Sequence, residues 1–274
     1  MIINQHTDLY GVMGFPLSHS LSPALHNTAF SITELNAVYL AFETRDLDRC
    51  LQGMRGLGIK GMSVTLPHKS AVIPLLDEVD NRAKRIGAVN TIVNRGGRLM
   101  GYNTDAHGAL HALEQKTQLM GKTGIVIGAG GAARAVGFIL REKGVELTVA
   151  NRSPERGKAL ADALACPFIP LDELGEQTAD ILIHTTSVGM VPHTDACLVP
   201  KRFLKPGMVV MDIIYHPIET KLLRMARDRG CEILSGMEMF IHQGAEQFRL
   251  WTGLAPPIHA MTEAVKTALR AAEK

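Results

Sequence analysis

The sequence predicts an α/β protein of two domains, each a sheet with helices on its faces. Three observations lead there. At 274 residues the chain exceeds the usual single domain of about 100–200 residues, and either half could bury a core of its own. Short apolar segments alternate with amphipathic ones along most of its length, the pattern of parallel strands joined by helices. A glycine-rich turn stands mid-chain between an apolar strand and a helix, opening a second alternation.

The elements follow in order. Tyr10–Gly14 is a short strand ended by Phe15-Pro16. Ser22-Pro23 opens a helix to about Glu34, with Ser as cap and Pro in the first turn. Val38–Phe42 is a strand, Asp46–Leu57 a helix, and Gly61–Leu66 a strand stopped by Pro67. Helical segments are expected at Lys69–Leu76 and Asn81–Ile86, and Thr91–Val93 and Arg98–Tyr102 flank Gly96-Gly97 as a hairpin. The second alternation starts after a helix at Asp105–Gln115. It runs through strand Gly124–Ile127, helix Ala132–Lys143, strand Glu146–Ala150, helix Pro154–Ala165, strands Ile181–His184 and Met208–Asp212, helix Thr220–Arg229 and strand Glu232–Leu234. Two long helical patterns, Met237–Trp251 and Ile258–Ala272, close the chain. The break between domains is expected near Asn103–Asp105.

Composition removes several classes of function. With 46% hydrophobic and 20% charged residues the chain is neither disordered nor fibrous. A net charge of +2 gives no electrostatic footprint for nucleic acid or an anionic membrane. The N-terminus has no basic stretch followed by an apolar one, so no signal peptide is expected. No apolar run approaches the ~20 residues of a membrane span. Cys50, Cys166, Cys197 and Cys231 form no C-x-x-C pair, and such scattered thiols suit a reducing cytoplasm. His107 and His111 have the spacing of a zinc pair on a helix but lack a third ligand, so no metal is expected.

Gly128-Ala129-Gly130-Gly131-Ala132-Ala133 follows Ile125-Val126-Ile127 and opens a helix, a dinucleotide fingerprint in full strand–turn–helix context. Gly128 permits the tight turn, Gly130 the approach of a pyrophosphate, and Ala133 close helix–strand packing. The helix N-terminus supplies amide donors and the positive dipole end. At the end of the next strand an NAD site would carry an acid for the ribose 2′-OH. This chain has Asn151-Arg152-Ser153 and Arg156. An acid would repel a 2′-phosphate and Arg can bind it bidentately, so the expected cofactor is NADP.

The first domain has polar clusters at strand ends: Ser18-His19-Ser20, Thr65 to Lys69, Asn90-Thr91 and Asn103-Thr104-Asp105. Ligands of open α/β sheets bind outside the carboxyl ends of strands. Hydroxyls, an amide, an ammonium and a carboxylate together suit a small polyhydroxylated acid. Lys69 and Asp105 are the obvious proton-transfer pair for interconverting a carbonyl and an alcohol, although a structural ion pair fits the spacing equally well.

These segments carry a resemblance. Gly14 to Pro23, Val64-Thr65-Leu66-Pro67-His68-Lys69, Gly87 to Thr91, Gly101 to Asp105, the glycine turn, Asn151-Arg152-Ser153, Thr185 to Met190, Asp212 to Tyr215, and Gln243 eight residues before Trp251 stand in the order found in shikimate dehydrogenases. The sequence resembles that family over nearly its whole length. The resemblance implies NADPH-dependent reduction of 3-dehydroshikimate to shikimate, a step of aromatic amino-acid biosynthesis. It implies Ser18 and Ser20 on the substrate carboxylate, and Thr65, Asn90, Asp105 and Gln243 on the ring hydroxyls. Lys69 is then the acid/base with Asp105 its partner, and Tyr215 stands beside the substrate. Gly128 to Ala132, Asn151, Arg152, Ser153, Arg156, Ile213 and Gly236 fall to the cofactor. The implied domains are 1–104 with 237–274 for substrate, the last helices returning to the first domain, and a Rossmann-type domain 105–236 for NADP. A cytoplasmic monomer or homodimer is expected.

Two positions depart from the family pattern, which has Asn where this chain has Ser63 and His184. Both are expected to make local backbone hydrogen bonds. Trp251 is expected to be a core anchor. A quinate/shikimate dehydrogenase with relaxed cofactor choice is the alternative, and Asn151-Arg152 in place of an acid argues against it. An idle dinucleotide-binding regulator would be expected to lack Lys69 or Asp105, and both are present.

Overall fold

The structure, a computed structural model, describes residues 3–272. The chain divides into two compact units, one running up to Thr104 and resuming at Ile241, the other Asp105–Phe240.

Unit one contains β1 (Asp8–Gly14), α1 (Ser22–Ile32), β2 (Ala37–Glu43), α2 (Leu47–Gly56), β3 (Gly61–Val64), β4 (Glu78–Val79), α3 (Asn81–Ile86), β5 (Thr91–Arg95) and β6 (Arg98–Tyr102). The sheet order is β2-β1-β3-β5-β6-β4. β2, β1 and β3 are parallel, and β5 is antiparallel to both β3 and β6. The carboxyl ends of β1, β3 and β6 therefore share one edge with the start of β5. The β5–β6 hairpin turns on Gly96 and Gly97, both at positive φ (62° and 90°), which side-chain-bearing residues rarely adopt.

Unit two contains α4 (Asp105–Glu114), β7 (Thr123–Ile127), α5 (Gly131–Glu142), β8 (Glu146–Asn151), α6 (Pro154–Ala163), β9 (Phe168–Pro170), β10 (Ile181–His184), β11 (Val209–Asp212), α7 (Lys221–Asp228) and β12 (Glu232–Ser235). Its strands lie in the order β12-β11-β10-β7-β8-β9, all parallel. This is the doubly wound Rossmann order, with its switch point between β7 and β10. Ile125, Ile127, Leu182, Val210 and Phe203 are among the side chains of its core. A helix α8 (Gly236–Thr252) begins in this unit and ends in unit one, followed by α9 (Ile258–Ala272), which packs along α1.

Unit one buries Met13, Met54, Met62, Val64, Ile92 and Leu99 in one cluster. An aromatic group lies where α8 meets the sheet. Trp251 packs against Tyr10 (ring centroids 5.4 Å) and Phe248 against Phe30 (5.9 Å). Trp251 Nε1 donates to the Ile92 carbonyl at 3.0 Å. Gly61 makes this seat possible, since a Cβ there would stand 2.3 Å from Trp251 Nε1. Trp251 is thus the anchor expected.

Three expectations are corrected, and two short strands were not expected. Lys69–Leu76 is not a helix but a single 3-10 turn at Ile73–Leu75, because Pro74 lacks an amide and disfavours the α conformation at Ile73. Ser22 is the first helical residue of α1, not its cap; Leu21 holds the cap position with no side-chain bond, and the Ser20 hydroxyl accepts from the Ser22 amide at 3.4 Å. The first sheet is mixed, not parallel throughout. The edge strands β4 and β9, of two and three residues, are too short to leave a periodic signature.

Candidate active site

The unit-one edge is assembled from loops tied to one another. After β1, the Phe15 amide donates to Leu66 O (2.8 Å), and the Thr65 amide to Met13 O (3.0 Å). Gly14 allows this: a Cβ would lie 2.4 Å from Thr65 Cγ2 and 2.8 Å from Leu66 O. The Leu17 amide donates to Glu43 Oε2 (2.8 Å) and that of Ser20 to Leu17 O (2.9 Å), so Ser18 and Ser20 project from a turn fixed at both ends. Ser18 is exposed and Ser20 half-buried. After β3, the chain is pinned around Lys69. His68 Nε2 lies 2.8 Å from Thr44 O, the Val89 amide donates to Lys69 O (2.7 Å), and Ser70 Oγ donates to Gly87 O (2.9 Å). Both histidines set aside for structure are placed at this edge, and His68 is buried.

Asn90 is the hub of the edge and is 1% exposed. Its Oδ1 accepts from the Thr104 amide (2.7 Å) and Thr91 Oγ1 (2.8 Å). Its Nδ2 donates to Thr104 Oγ1 (2.9 Å) and Gln243 Oε1 (3.3 Å). The Asn90 carbonyl accepts from the Val64 amide (2.8 Å) and from Gln247 Nε2 (3.1 Å). Thr65, Lys69, Asn90 and Gln243 are thereby brought to one edge of one sheet. Asp105, buried, opens α4 as the first residue of unit two.

In unit two the glycine turn tests the fit to a dinucleotide. Gly128 has φ +119°, and a Cβ there would lie 2.5 Å from Thr185 Oγ1, so the fold itself demands glycine. Gly130 is different. Its φ is −86°, and a Cβ would meet nothing within 4 Å. No internal contact explains this glycine, and it leaves the turn's backbone open to a ligand. No side chain caps α5, so its first amides face the same way. Beyond β8, Asn151 Nδ2 donates to Ser153 O (2.9 Å), shaping the turn that carries Arg152. Arg152 and Arg156 are exposed, and neither pairs with a carboxylate among the described residues. The turn and its two cations fit a phosphorylated dinucleotide.

Further residues cluster after β11. Gly236 starts α8 hard against that strand's end, where a Cβ would sit 2.0 Å from Ile213 O. Tyr215 stacks near Phe240 (4.6 Å between centroids), and burial pushes its phenol up to about 12.

Comparison with known proteins finds matches along most of the chain. A family model described as the shikimate dehydrogenase substrate binding domain matches residues 12–92. Models for shikimate / quinate 5-dehydrogenase and for the shikimate 5'-dehydrogenase C-terminal domain match residues 111–213 and 236–266. The shikimate dehydrogenase (NADP(+)) of Moorella thermoacetica is 45% identical, over 98% of this chain and 96% of that one. That of Thermococcus kodakarensis is 47% identical, over 91% and 93%. The chain belongs to the shikimate dehydrogenase family. Among solved structures, the shikimate 5-dehydrogenase of Thermus thermophilus in complex with NADP(H) and shikimate is 40% identical, with a TM-score of 0.88 over 95% of this chain and 99% of that one.

Against the shikimate dehydrogenase pattern, the two departures need correcting. Neither Ser63 nor His184 makes the local backbone bonds expected of it. Ser63 Oγ accepts from Tyr39 (2.6 Å) and donates to Gln247 Oε1 (2.9 Å). His184 is held between Asp212 and Thr186. The sequence reading also passed over Gln247, which stands one helical turn beyond Gln243 and donates to the backbone of Asn90. Its spacing of four on an amphipathic helix was the available signal. His26, whose Nε2 donates to Gln247 Oε1 at 3.3 Å, left none, because the two are 221 positions apart.

Proposed function

We propose that this family member catalyses the NADPH-dependent, reversible reduction of 3-dehydroshikimate to shikimate, unit one binding the substrate and unit two the cofactor. The observation that carries the reading is the sheet edge organised by Asn90, which gathers Thr65, Lys69, Asn90 and Gln243, residues whose hydroxyl, ammonium and amides suit a polyhydroxylated acid. Ser18 and Ser20 bind the substrate carboxylate. Thr65, Asn90, Asp105 and Gln243 bind ring hydroxyls, and Tyr215 lines the substrate. Gly128, Ala129, Gly130, Gly131 and Ala132 receive the pyrophosphate. Asn151, Arg152, Ser153 and Arg156 hold the adenosine end with its 2′-phosphate, and Ile213 and Gly236 border the nicotinamide. When bound, NADPH supplies the hydride for the ring ketone. Lys69 Nζ gives a proton to the developing alkoxide and stabilises its charge as it forms, with Asp105 as partner. In the oxidative direction Lys69 takes that proton back. Among the described residues no helix is long and apolar enough to cross a membrane. We place the enzyme in the cytoplasm, as a monomer or homodimer without nucleic-acid partners.

The test is steady-state oxidation of shikimate and of quinate, each with NADP+ and NAD+. The kcat/KM for shikimate with NADP+ should exceed each of the other three by at least about tenfold, the ~1.4 kcal/mol of one good discriminating contact. Comparable turnover of quinate or with NAD+ would move the protein to the broader dehydrogenase. A second expectation concerns the clamp. Arg152→Ala removes a charge-assisted contact to a phosphate of about 1.5–3 kcal/mol, so the KM for NADP+ should rise about 10- to 100-fold. The KM for NAD+ should stay almost unchanged, and an equal rise in both would refute the clamp.

A further inference from the structure

β10 ends in His184 and β11 in Asp212, paired neighbours in the parallel sheet and almost fully buried. Asp212 Oδ2 accepts from Thr220 Oγ1 (2.7 Å) and Oδ1 from the Ile214 amide (3.2 Å). Oδ1 also lies 3.0 Å from His184 Nδ1. A carboxylate only accepts, so Nδ1 carries a proton and donates to Asp212. Nε2 lies 2.6 Å from the Thr186 hydroxyl. Its oxygen in turn accepts from the Val188 amide at 3.2 Å. The Thr186 hydroxyl thus lies between the His184 ring and the Val188 amide.

Thr186 stands where this matters. β10 pairs with β7, Ile127 opposite His184, so the carboxyl ends of these two strands flank the switch point of the sheet. Thr185 Oγ1 donates to Ile127 O (2.6 Å), and a Cβ on Gly128 would come within 3.1 Å of Thr186 Cγ2. Thr186 is half-buried against the glycine turn.

We propose that His184 is a positioning residue for cofactor binding: with its single ring proton on Nδ1 for Asp212, it draws the Thr186 proton towards Nε2 and leaves that hydroxyl as an acceptor for a donor group of the dinucleotide, a ribose hydroxyl or the carboxamide N–H, and not for a phosphate oxygen. This rests on the cofactor reading above. A phosphate has no proton to give, and an acceptor-only oxygen beside it would repel it, so Thr186 contributes selectivity along the dinucleotide that the glycine turn alone lacks.

The experiment is calorimetric titration of the full-length protein with NADP+, with the KM for shikimate measured in parallel. Thr186→Val should weaken NADP+ binding about five- to tenfold, one neutral hydrogen bond, while Thr186→Ser, which keeps the hydroxyl, stays within about twofold. His184→Leu, which keeps the bulk and removes both ring nitrogens, should cost as much as Thr186→Val. The double variant should be no weaker than the worse single one, because both changes remove the same contact. The KM for shikimate should hold in all four. A merely structural His184 would lower the melting temperature and leave the NADP+ affinity of the folded protein unchanged, which overturns the proposal, as do losses that multiply in the double variant. Should His184→Leu not fold, the Thr186 pair decides alone: equal affinity of the Val and Ser variants overturns it. Wild-type protein that binds no NADP+ refutes the cofactor reading itself, a result separate from losses confined to variants.

Discussion

Lys69→Met is expected to lower kcat by about three orders of magnitude, within the ~10²–10⁴ range of a positioned proton donor, with little change in the KM for shikimate. The substitution keeps length and removes the ammonium. The segment is also held by bonds that do not involve the Lys69 side chain. The Val89 amide bonds to the Lys69 carbonyl at 2.7 Å, and His68 and Ser70 make the flanking bonds. An unaltered affinity for NADP+ should accompany the loss. A proton donor that acts only as charge develops contributes to the transition state and not to substrate binding, hence the effect on kcat alone. Turnover within about tenfold of wild type would remove Lys69 from the chemistry and leave the ion-pair reading of Lys69 and Asp105, since removing any working acid/base costs at least ~10².

Unit one should lose stability as the pH falls from about 6.5 towards 3, and His26 should be a principal cause. This imidazole is fully buried, stacked on Tyr39 (4.5 Å between centroids) and 5.0 Å from the Trp251 ring. Its Nε2 donates to Gln247, and no group lies within hydrogen-bond reach of Nδ1. Burial holds its pKa down to about 3, against 6.5 when free, and the bond to Gln247 only partly offsets this. The folded value lies below the unfolded one. Between the two the unfolded chain binds a proton that the folded chain refuses, so stability is complete above pH 6.5 and drains away as the pH falls. At pH 5 the loss is about 2 kcal/mol, at ~1.4 kcal/mol per pH unit below 6.5. Trp251, the one tryptophan of the chain, reports on this unit directly. Urea unfolding followed by its fluorescence at pH 7 and pH 5 should give a difference about 2 kcal/mol smaller in His26→Gln than in wild type, because glutamine does not titrate. The double difference cancels any packing loss in the variant. Equal pH sensitivity in the two proteins would clear His26. Because Gln247 also holds the Asn90 carbonyl and Thr91 Oγ1, protonating His26 disturbs the same network that orders the candidate substrate edge.

How legible the molecule was depends on the range of the interaction concerned. The glycine turn was readable because its demands are local: a positive φ at Gly128, an open face at Gly130, a strand before and a helix after. The Gly96-Gly97 hairpin was readable for the same reason. The helix expected at Lys69–Leu76 does not form, although its breaker, Pro74, stands in the sequence itself. Ser63 and His184 were misjudged for a different reason. Both were assigned backbone partners nearby, whereas they bond side chains, Gln247 184 positions from Ser63 and Asp212 28 positions from His184, with Tyr39 and Thr186 as their second partners.

By itself, the sequence determined the alternation of strands and helices, the glycine turn with arginines in place of an acid, and the inventory of polar groups at strand ends. Each of these is set by backbone conformation, side-chain period or charge within a few neighbouring residues. Only the tertiary structure decided that Asn90 is the hub joining Thr104, Gln243 and Gln247. It alone decided that β5 runs against β3, bringing Asn90 to the same edge as Thr65, and that β10 lies beside β11 with His184 opposite Asp212. Strand order and register come from the burial of whole faces and from hydrogen bonds between distant segments, and no local stretch of sequence contains either.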